Sequence, residues 1–257
     1  MKEIKKFIKR KTLIYKTEVE YGDYTMNHVL GCSHGCKYPC YAFLQKKRFG
    51  EVKSYEDWCE PALVENTLEL LDVEIPKFKD KIQILHMCFT TDPFMYEYPE
   101  VQSMSIAAIK KLNTAGIKCS VLTKGFLPIK LSELSKGNEY GITLVSLDEA
   151  FRERMEPGSA PFQERLAALR ALHDAGCKTW VSIEPYPTPN ICTQELMPIL
   201  EAVGFVDRII FGRMNYSKEV TAYKKHKDFF NKRAAETIKF CEDHRISYHV
   251  KDGTITA

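Results

Sequence analysis

With 257 residues, 44% of them hydrophobic and 28% charged, the chain has the composition of a soluble globular protein, and disorder is excluded. Its net charge of +3 is too small to mark a nucleic-acid binder by itself, and no apolar run reaches the roughly 18 residues that cross a bilayer. The basic start, MKEIKKFIKRKTLIYK, lacks an uninterrupted apolar core and a small-residue cleavage site, so the expected address is cytoplasmic, away from any membrane.

In chain order, residues 1–27 form a basic N-terminal segment crowded with Lys2, Lys5, Lys6, Lys9, Arg10, Lys11 and Lys16. Next comes GCSHGCKYPCYA, residues 31–42, which sets Cys32, Cys36 and Cys40 four apart. From residue 80 the pattern becomes rhythmic, with short apolar runs alternating with stretches of helical period. IQILHMCF (82–89) predicts a strand and residues 99–116 a helix, then KCSVLTKG (118–125) a strand and 127–137 a short helix. YGITLVSL (140–147), KTWVSIEP (178–185) and DRIIFGRMNY (207–216) predict strands, interleaved with helices at 160–176 and 193–204. A long helix at about 222–245, carrying the second basic cluster of Lys224, Lys225, Lys227, Lys232 and Arg233, precedes a last strand at 246–250.

The apolar runs are continuous, as in strands buried on both faces of a parallel sheet. Repeated strand–helix units with short connections predict an α/β fold. With one more strand expected before residue 80, they suit a full or partial β/α barrel. No linker rich in Gly, Pro or Ser interrupts the chain, so a single domain over 1–257 is expected, with a core at 28–216 and a C-terminal helix and strand at 217–257.

Ligands of such barrels bind at the C-terminal strand ends. Those ends are polar here: Thr90-Thr91-Asp92-Pro93, Thr123-Lys124, Ser146-Leu147-Asp148, Glu184-Pro185-Tyr186 and Arg213-Met214-Asn215-Tyr216. Individually Asp92, Asp148 and Asn190 read equally well as turn or cap residues. Glu184 and Glu156, and Arg213, Asn215 and Tyr216 at the end of the last barrel strand, are candidates for touching a ligand. His34 and His86 read as acid/base groups or as plain hydrogen-bonded histidines, and Trp58 and Trp180 as packing. No phosphate-binding glycine loop and no serine elbow is present.

The cysteine trio is a loop and not a helix face: Gly31 and Gly35 make a helix costly, and Pro39 donates no hydrogen bond and pushes Tyr38 toward extended geometry. Nine cysteines in a reducing compartment point to metal or catalysis before disulfides. Three clustered thiolates suit a [4Fe–4S] cluster with one iron open to an outside ligand. Structural zinc completed by His28 or His34, and three unligated core cysteines, are the alternatives that the residues leave open.

GCSHGCKYPCYA resembles the cluster loop of radical S-adenosylmethionine (SAM) enzymes, whose usual pattern is C-x3-C-x2-C with an aromatic residue before the last cysteine. The His-Gly and the trailing Tyr-Ala are most similar to the spore photoproduct lyase-like branch. TTDPF (90–94), LTKG (122–125), the serine-led stretch 146–176 and IEPYPTPN (183–190) extend the likeness over about residues 28–216.

The resemblance implies a partial (β/α)6 TIM-like barrel of the radical SAM type. It implies Cys32, Cys36 and Cys40 as iron ligands, and SAM with the [4Fe–4S] cluster as cofactors. Tyr38 and Tyr41 would pack near cluster and adenine, and Thr91, Lys124 and Ser146 would meet the SAM methionine or ribose, with Asp92 and Glu184 in the same rim. The implied reaction is reductive cleavage of SAM to a 5′-deoxyadenosyl radical that takes hydrogen from a substrate. A nucleic acid or nucleotide is the first candidate substrate, and flavodoxin or ferredoxin the expected electron donor. The alternative is an iron–sulfur or zinc protein that binds nucleic acid or a partner without turnover.

Two departures stand out. Pro39 lengthens the last gap to three residues. The lyase also carries a hydrogen-donating cysteine where this chain has Phe89; Cys88 lies one place early, and a one-residue shift on a strand reverses the side chain. That argues against thymine-dimer repair as such.

Overall fold

The computed structural model describes residues 1–256. Strands β1 (Lys6–Ile8), β2 (Ile14–Lys16), β3 (Tyr24–Met26) and β4 (Val29–Leu30) are followed by helices α1 (Tyr41–Arg48) and α2 (Tyr55–Cys59). Strand β5 (Ala62–Val64), helix α3 (Thr67–Phe78), β6 (Leu85–Met87), α4 (Pro99–Thr114) and β7 (Cys119–Thr123) come next. A 3-10 turn (Ile129–Glu133) leads to β8 (Glu139–Thr143), α5 (Glu149–Met155), α6 (Phe162–Asp174) and β9 (Lys178–Tyr186). The chain ends with α7 (Met197–Val203), β10 (Arg208–Arg213), α8 (Lys218–Ala222), α9 (His226–His244) and β11 (Ser247–Val250).

The main sheet runs β11-β10-β9-β8-β7-β6-β3-β2, parallel throughout except for the antiparallel edge strand β2. A small second sheet, β1-β5-β4, sits beside it. Leu85 and Met87 face the helical layer, so His86 between them faces the concave side. There its ring lies 6.0 Å from that of Trp180, although β6 and β9 are three strands apart. Side chains on a flat sheet stand parallel and do not converge, so the sheet curls into the partial barrel that the strand pattern anticipates. Its two edge strands do not pair. Instead the β2–β3 connection spans the gap, where Glu20 Oε2 accepts from His249 Nε2 at 2.6 Å and from the Asp252 amide at 3.1 Å.

Local sequence accounts for the helical shell. In α6 the buried Arg165, Ala168, Leu169 and Leu172 recur at i, i+3, i+4 and i+7, which turns one stripe onto the sheet. Trimming a fully buried leucine such as Leu169 costs about 2–5 kcal/mol. Where one long helix is expected at 222–245, the short α8, capped by Ser217 accepting from the Val220 amide, ends at Ala222 with Tyr223 in extended geometry, and α9 starts at His226. The N-terminal sheet and α2 carry no clear signal in the sequence, since their runs are only three to five residues long.

Candidate functional site

The cysteine loop occupies residues 31–40 with no helix inside it, and Cys40 is the N-cap residue of α1. Gly31 has φ +86°, and a Cβ there would lie 2.6 Å from the Trp58 carbonyl oxygen, which accepts from the Cys32 amide at 2.8 Å. On the other side the loop rests on residues 155–160. The Lys37 amide donates to the Met155 carbonyl at 2.8 Å and the Gly158 amide to the His34 carbonyl at 2.9 Å. A Cβ on Gly158 would overlap the Ser33 carbonyl oxygen, so only glycine allows this approach. Tyr38 is buried and Pro39 exposed, so the residue that lengthens the last gap is absorbed at the surface.

The three thiols are free and part-exposed; Cys36 and Cys40 push the Cys32 pKa up, and Cys40 pushes up that of Cys36. Burial is the larger cause, raising the Cys32 thiol and holding Cys36 at about 12. A bound cation is therefore needed to keep them as thiolates. Among the described residues no three His, Cys, Asp or Glu side chains converge on a point fit for a single metal ion. Three thiols carried by one ten-residue loop are the donor set of a cluster that takes one thiolate per iron. Ser33 Oγ and His34 Nε2 are buried in the same loop without a protein partner, two polar atoms left over for what the thiols hold.

Around the loop the strand ends fall into two sets. In the first, Asp92 is spent on structure. It accepts from the Thr123 hydroxyl at 2.7 Å and from the amides of Phe94 and Lys124 at 2.8 and 2.9 Å, and faces His34 Nδ1 at 3.6 Å. Burial holds His34 below the ordinary imidazole range, so it is neutral at pH 7. Thr91 donates to the Gly31 carbonyl and Tyr41 to the Phe89 carbonyl, fixing the second strand's end to both ends of the loop. Lys124 Nζ lies 5.6 Å over the Tyr38 ring and 3.9 Å from Glu156. Burial opposes its charge, but the Cys36 thiolate and Glu156 outweigh this and hold its pKa up. Ser146 Oγ accepts from the Asp148 amide and Asp148 caps α5, so both shape the turn after β8.

In the second set, burial raises the Glu184 carboxyl, and Lys251, 3.2 Å away, opposes that rise. Glu184 is also felt by Lys124 and by Tyr41, which ties this pair to the cysteine loop. Arg213 Nε donates to Asn215 at 2.9 Å, and both line a half-open groove of about 270 Å³ with Tyr216, Lys218 and His226. Tyr216 is 74% exposed. Below, the lumen is plugged by aromatic rings: His86 stacks on Phe89 at 3.7 Å, and Tyr21 meets His86, Trp180 and His249 edge-on at 6.0–6.2 Å. The Cys88 thiol turns away to His28 Nδ1 at 3.4 Å.

Sequence reasoning passed over Lys251, although it ends a strand like the other candidates, and Tyr21, whose role depends on a loop crossing the barrel's gap. Arg165 also escaped notice, because at its helical position it reads as solvent-facing.

The fold and the loop define a class: a partial barrel that carries a three-cysteine loop and a polar C-terminal rim. The model of the radical SAM superfamily matches residues 26–203, and the chain belongs to that superfamily. The cofactors of that superfamily are a [4Fe–4S] cluster and SAM. An uncharacterized protein of Acidianus two-tailed virus is 26% identical over 189 residues, and one of Methanocaldococcus jannaschii 26% over 181. These alignments take in 70% and 69% of this chain but 61% and 66% of those proteins, so the chain spans less than two thirds of the length of either. In fold it is similar to spore photoproduct lyase complexed with dinucleoside spore photoproduct (TM-score 0.66, 15% identity, 95% of this chain and 80% of that one). It is also similar to SuiB of Streptococcus suis bound to S-adenosylmethionine (TM-score 0.56, 12% identity, 88% and 46%). Among the described residues no helix is long and apolar enough to cross a membrane.

Proposed function

We propose that this chain carries out radical SAM chemistry on a nucleic acid or nucleotide, with Cys32, Cys36 and Cys40 each holding one iron. When bound, the cluster and SAM supply a one-electron reductive cleavage that yields a 5′-deoxyadenosyl radical able to take a hydrogen atom from the substrate. The observation that carries the reading is the three-cysteine loop held against the polar strand ends, with Thr91 bonded to the Gly31 carbonyl and Lys124 Nζ 5.6 Å over the Tyr38 ring. Lys124 supplies a fixed cation for the SAM carboxylate. Thr91 and Tyr41 hold the loop against the second strand, and Glu184 with Lys251 offers a polar pair to ribose or substrate. The aromatic plug formed by Tyr21, His86, Phe89 and Trp180 closes the lumen beneath the rim and keeps water from that side.

Two features favour a nucleic-acid substrate. Arg213, Lys218 and His226 line one groove suited to phosphate, with Tyr216 exposed beside it as a platform for a base. A protein of the same fold is known with a dinucleoside photoproduct. Phe89 fills the lumen position where the lyase has its hydrogen donor, and the Cys88 thiol faces away, so the reading is a reaction other than thymine-dimer repair. Flavodoxin or ferredoxin is the proposed electron donor.

The test is anaerobic purification, reduction with dithionite and addition of SAM, with and without a single-stranded oligonucleotide. Formation of 5′-deoxyadenosine, stimulated by the oligonucleotide, is expected. A brown protein that forms none sinks the reading, and formation indifferent to any nucleic acid or nucleotide sinks the substrate assignment.

A further inference from the structure

Directly behind the cysteine loop lies a buried set of charges, of which only Lys124 has a part in holding SAM. Glu156, 2% exposed, accepts from the Tyr38 hydroxyl and forms an ion pair with Arg165 Nη1 at 3.2 Å, and Lys124 Nζ stands 3.9 Å away. Arg165, also 2% exposed, reaches in from the first turn of α6 and donates to the Thr143 carbonyl at 2.8 Å, while its Nε has no partner. Burial by itself pushes the Glu156 carboxyl up, but Lys124, Arg165 and the Tyr38 hydroxyl together hold it below the usual range, so it is a carboxylate at pH 7. One carboxylate and two cations leave one net positive charge beside Cys36.

Buried ion sets of this kind add little stability over a well-packed apolar core of the same volume. Their fields, however, act strongly at short range in a low dielectric. Tyr38, two residues from Cys36, joins this set to the loop, its hydroxyl bonded to Glu156 and its ring 5.6 Å from Lys124 Nζ, so Lys124 favours negative charge at the Cys36 corner and Glu156 opposes it. Adding an electron to a cluster held by Cys36 makes that corner more negative, so the same two groups act with the same signs on its reduction.

We propose that Glu156 is a positioning residue that sets the charge facing the Cys36 corner of the cluster, and with it the cluster's reduction potential, in balance with Arg165. The proposal rests on Cys36 as an iron ligand. A Cys36→Ala protein that keeps its full iron would overturn that premise, whereas the potentials below decide the proposal itself.

The experiment uses anaerobically reconstituted wild type, Glu156→Gln, Arg165→Met and the double variant. Each is titrated with dithionite and redox mediators and followed by the electron paramagnetic resonance signal of the reduced cluster, with iron and sulfide counted per chain. Glu156→Gln is expected to favour reduction by about tenfold or more, an upward shift of about 59 mV for a one-electron couple. Arg165→Met is expected to shift the midpoint downward, and the double variant, which restores one net positive charge, to return to within about threefold of wild type. A purely structural role would lower iron content in both single variants without opposite shifts. Shifts of the same sign, or none, overturn the proposal. If Arg165→Met holds no iron, Glu156→Asp decides: it must keep the wild-type midpoint where Glu156→Gln moves it, and equal midpoints for all three overturn the proposal.

Discussion

The two sides of the rim are built differently. The cysteine loop is fixed from below: backbone bonds with Trp58, Met155 and Gly158, glycines at two of these contacts (Gly31 and Gly158), and side-chain bonds from Tyr38, Thr91 and Tyr41 hold it. The side formed by the ends of β10 and β11 is open, with Arg213 and Asn215 half-exposed and Tyr216 free in solvent. The contrast teaches that the half proposed to hold the cofactor has little room to vary, while the half proposed to meet the substrate offers side chains with few other duties. This is the division expected of a scaffold that reuses one chemistry on many substrates.

The largest way to break the comparison lies in the loop. Cys40→Ala is expected to abolish iron binding, read as iron per chain after anaerobic reconstitution, and unchanged iron would remove the third ligand from the assignment. Next comes acid. Burial holds His28 at about 4 against 6.5 when exposed, so the unfolded chain takes a proton that the folded one refuses. Its contribution is complete above pH 6.5 and is lost as pH falls toward about 4, on the order of 3 kcal/mol. Urea midpoints of the metal-free protein at about pH 7 and about pH 5 should differ, and His28→Asn should flatten the slope, with His86 in the lumen accounting for what remains.

Gly158→Ala tests the platform under the loop. The added methyl meets backbone and cannot be sidestepped by a rotamer, so a loss of about 1–3 kcal/mol in thermal or urea unfolding is expected, with reduced iron retention. On the open side, Arg213→Ala should leave iron and fold intact and weaken oligonucleotide binding by about tenfold, consistent with loss of a charged hydrogen bond. A parallel loss of iron there would erase the contrast between the two sides. Smallest of all, deletion of the exposed Pro39 should leave iron binding unchanged; loss of iron would show that the longer gap is needed for Cys40 to reach its place.

Much of this was legible in the chain itself. Apolar runs without alternation gave the parallel strands β6 to β10, because such strands are buried on both faces, and helical period gave α4 and α6 within about two residues. Gly31, Gly35 and Pro39 ruled out a helix at the cysteines because φ above zero and a missing amide are properties of single residues. The polar strand ends marked the rim because a polar group ending an apolar run has a local reason to be there. Tertiary structure alone decided which of those polar groups are spent and which are free. Asp92, Asp148 and Ser146 go to amides, whereas Glu184 faces Lys251, 67 residues later in the chain. It alone buried Arg165 against Glu156 and sent Tyr21 across the gap to plug the lumen, since such pairings depend on how far a sheet curls, and no local pattern encodes that distance.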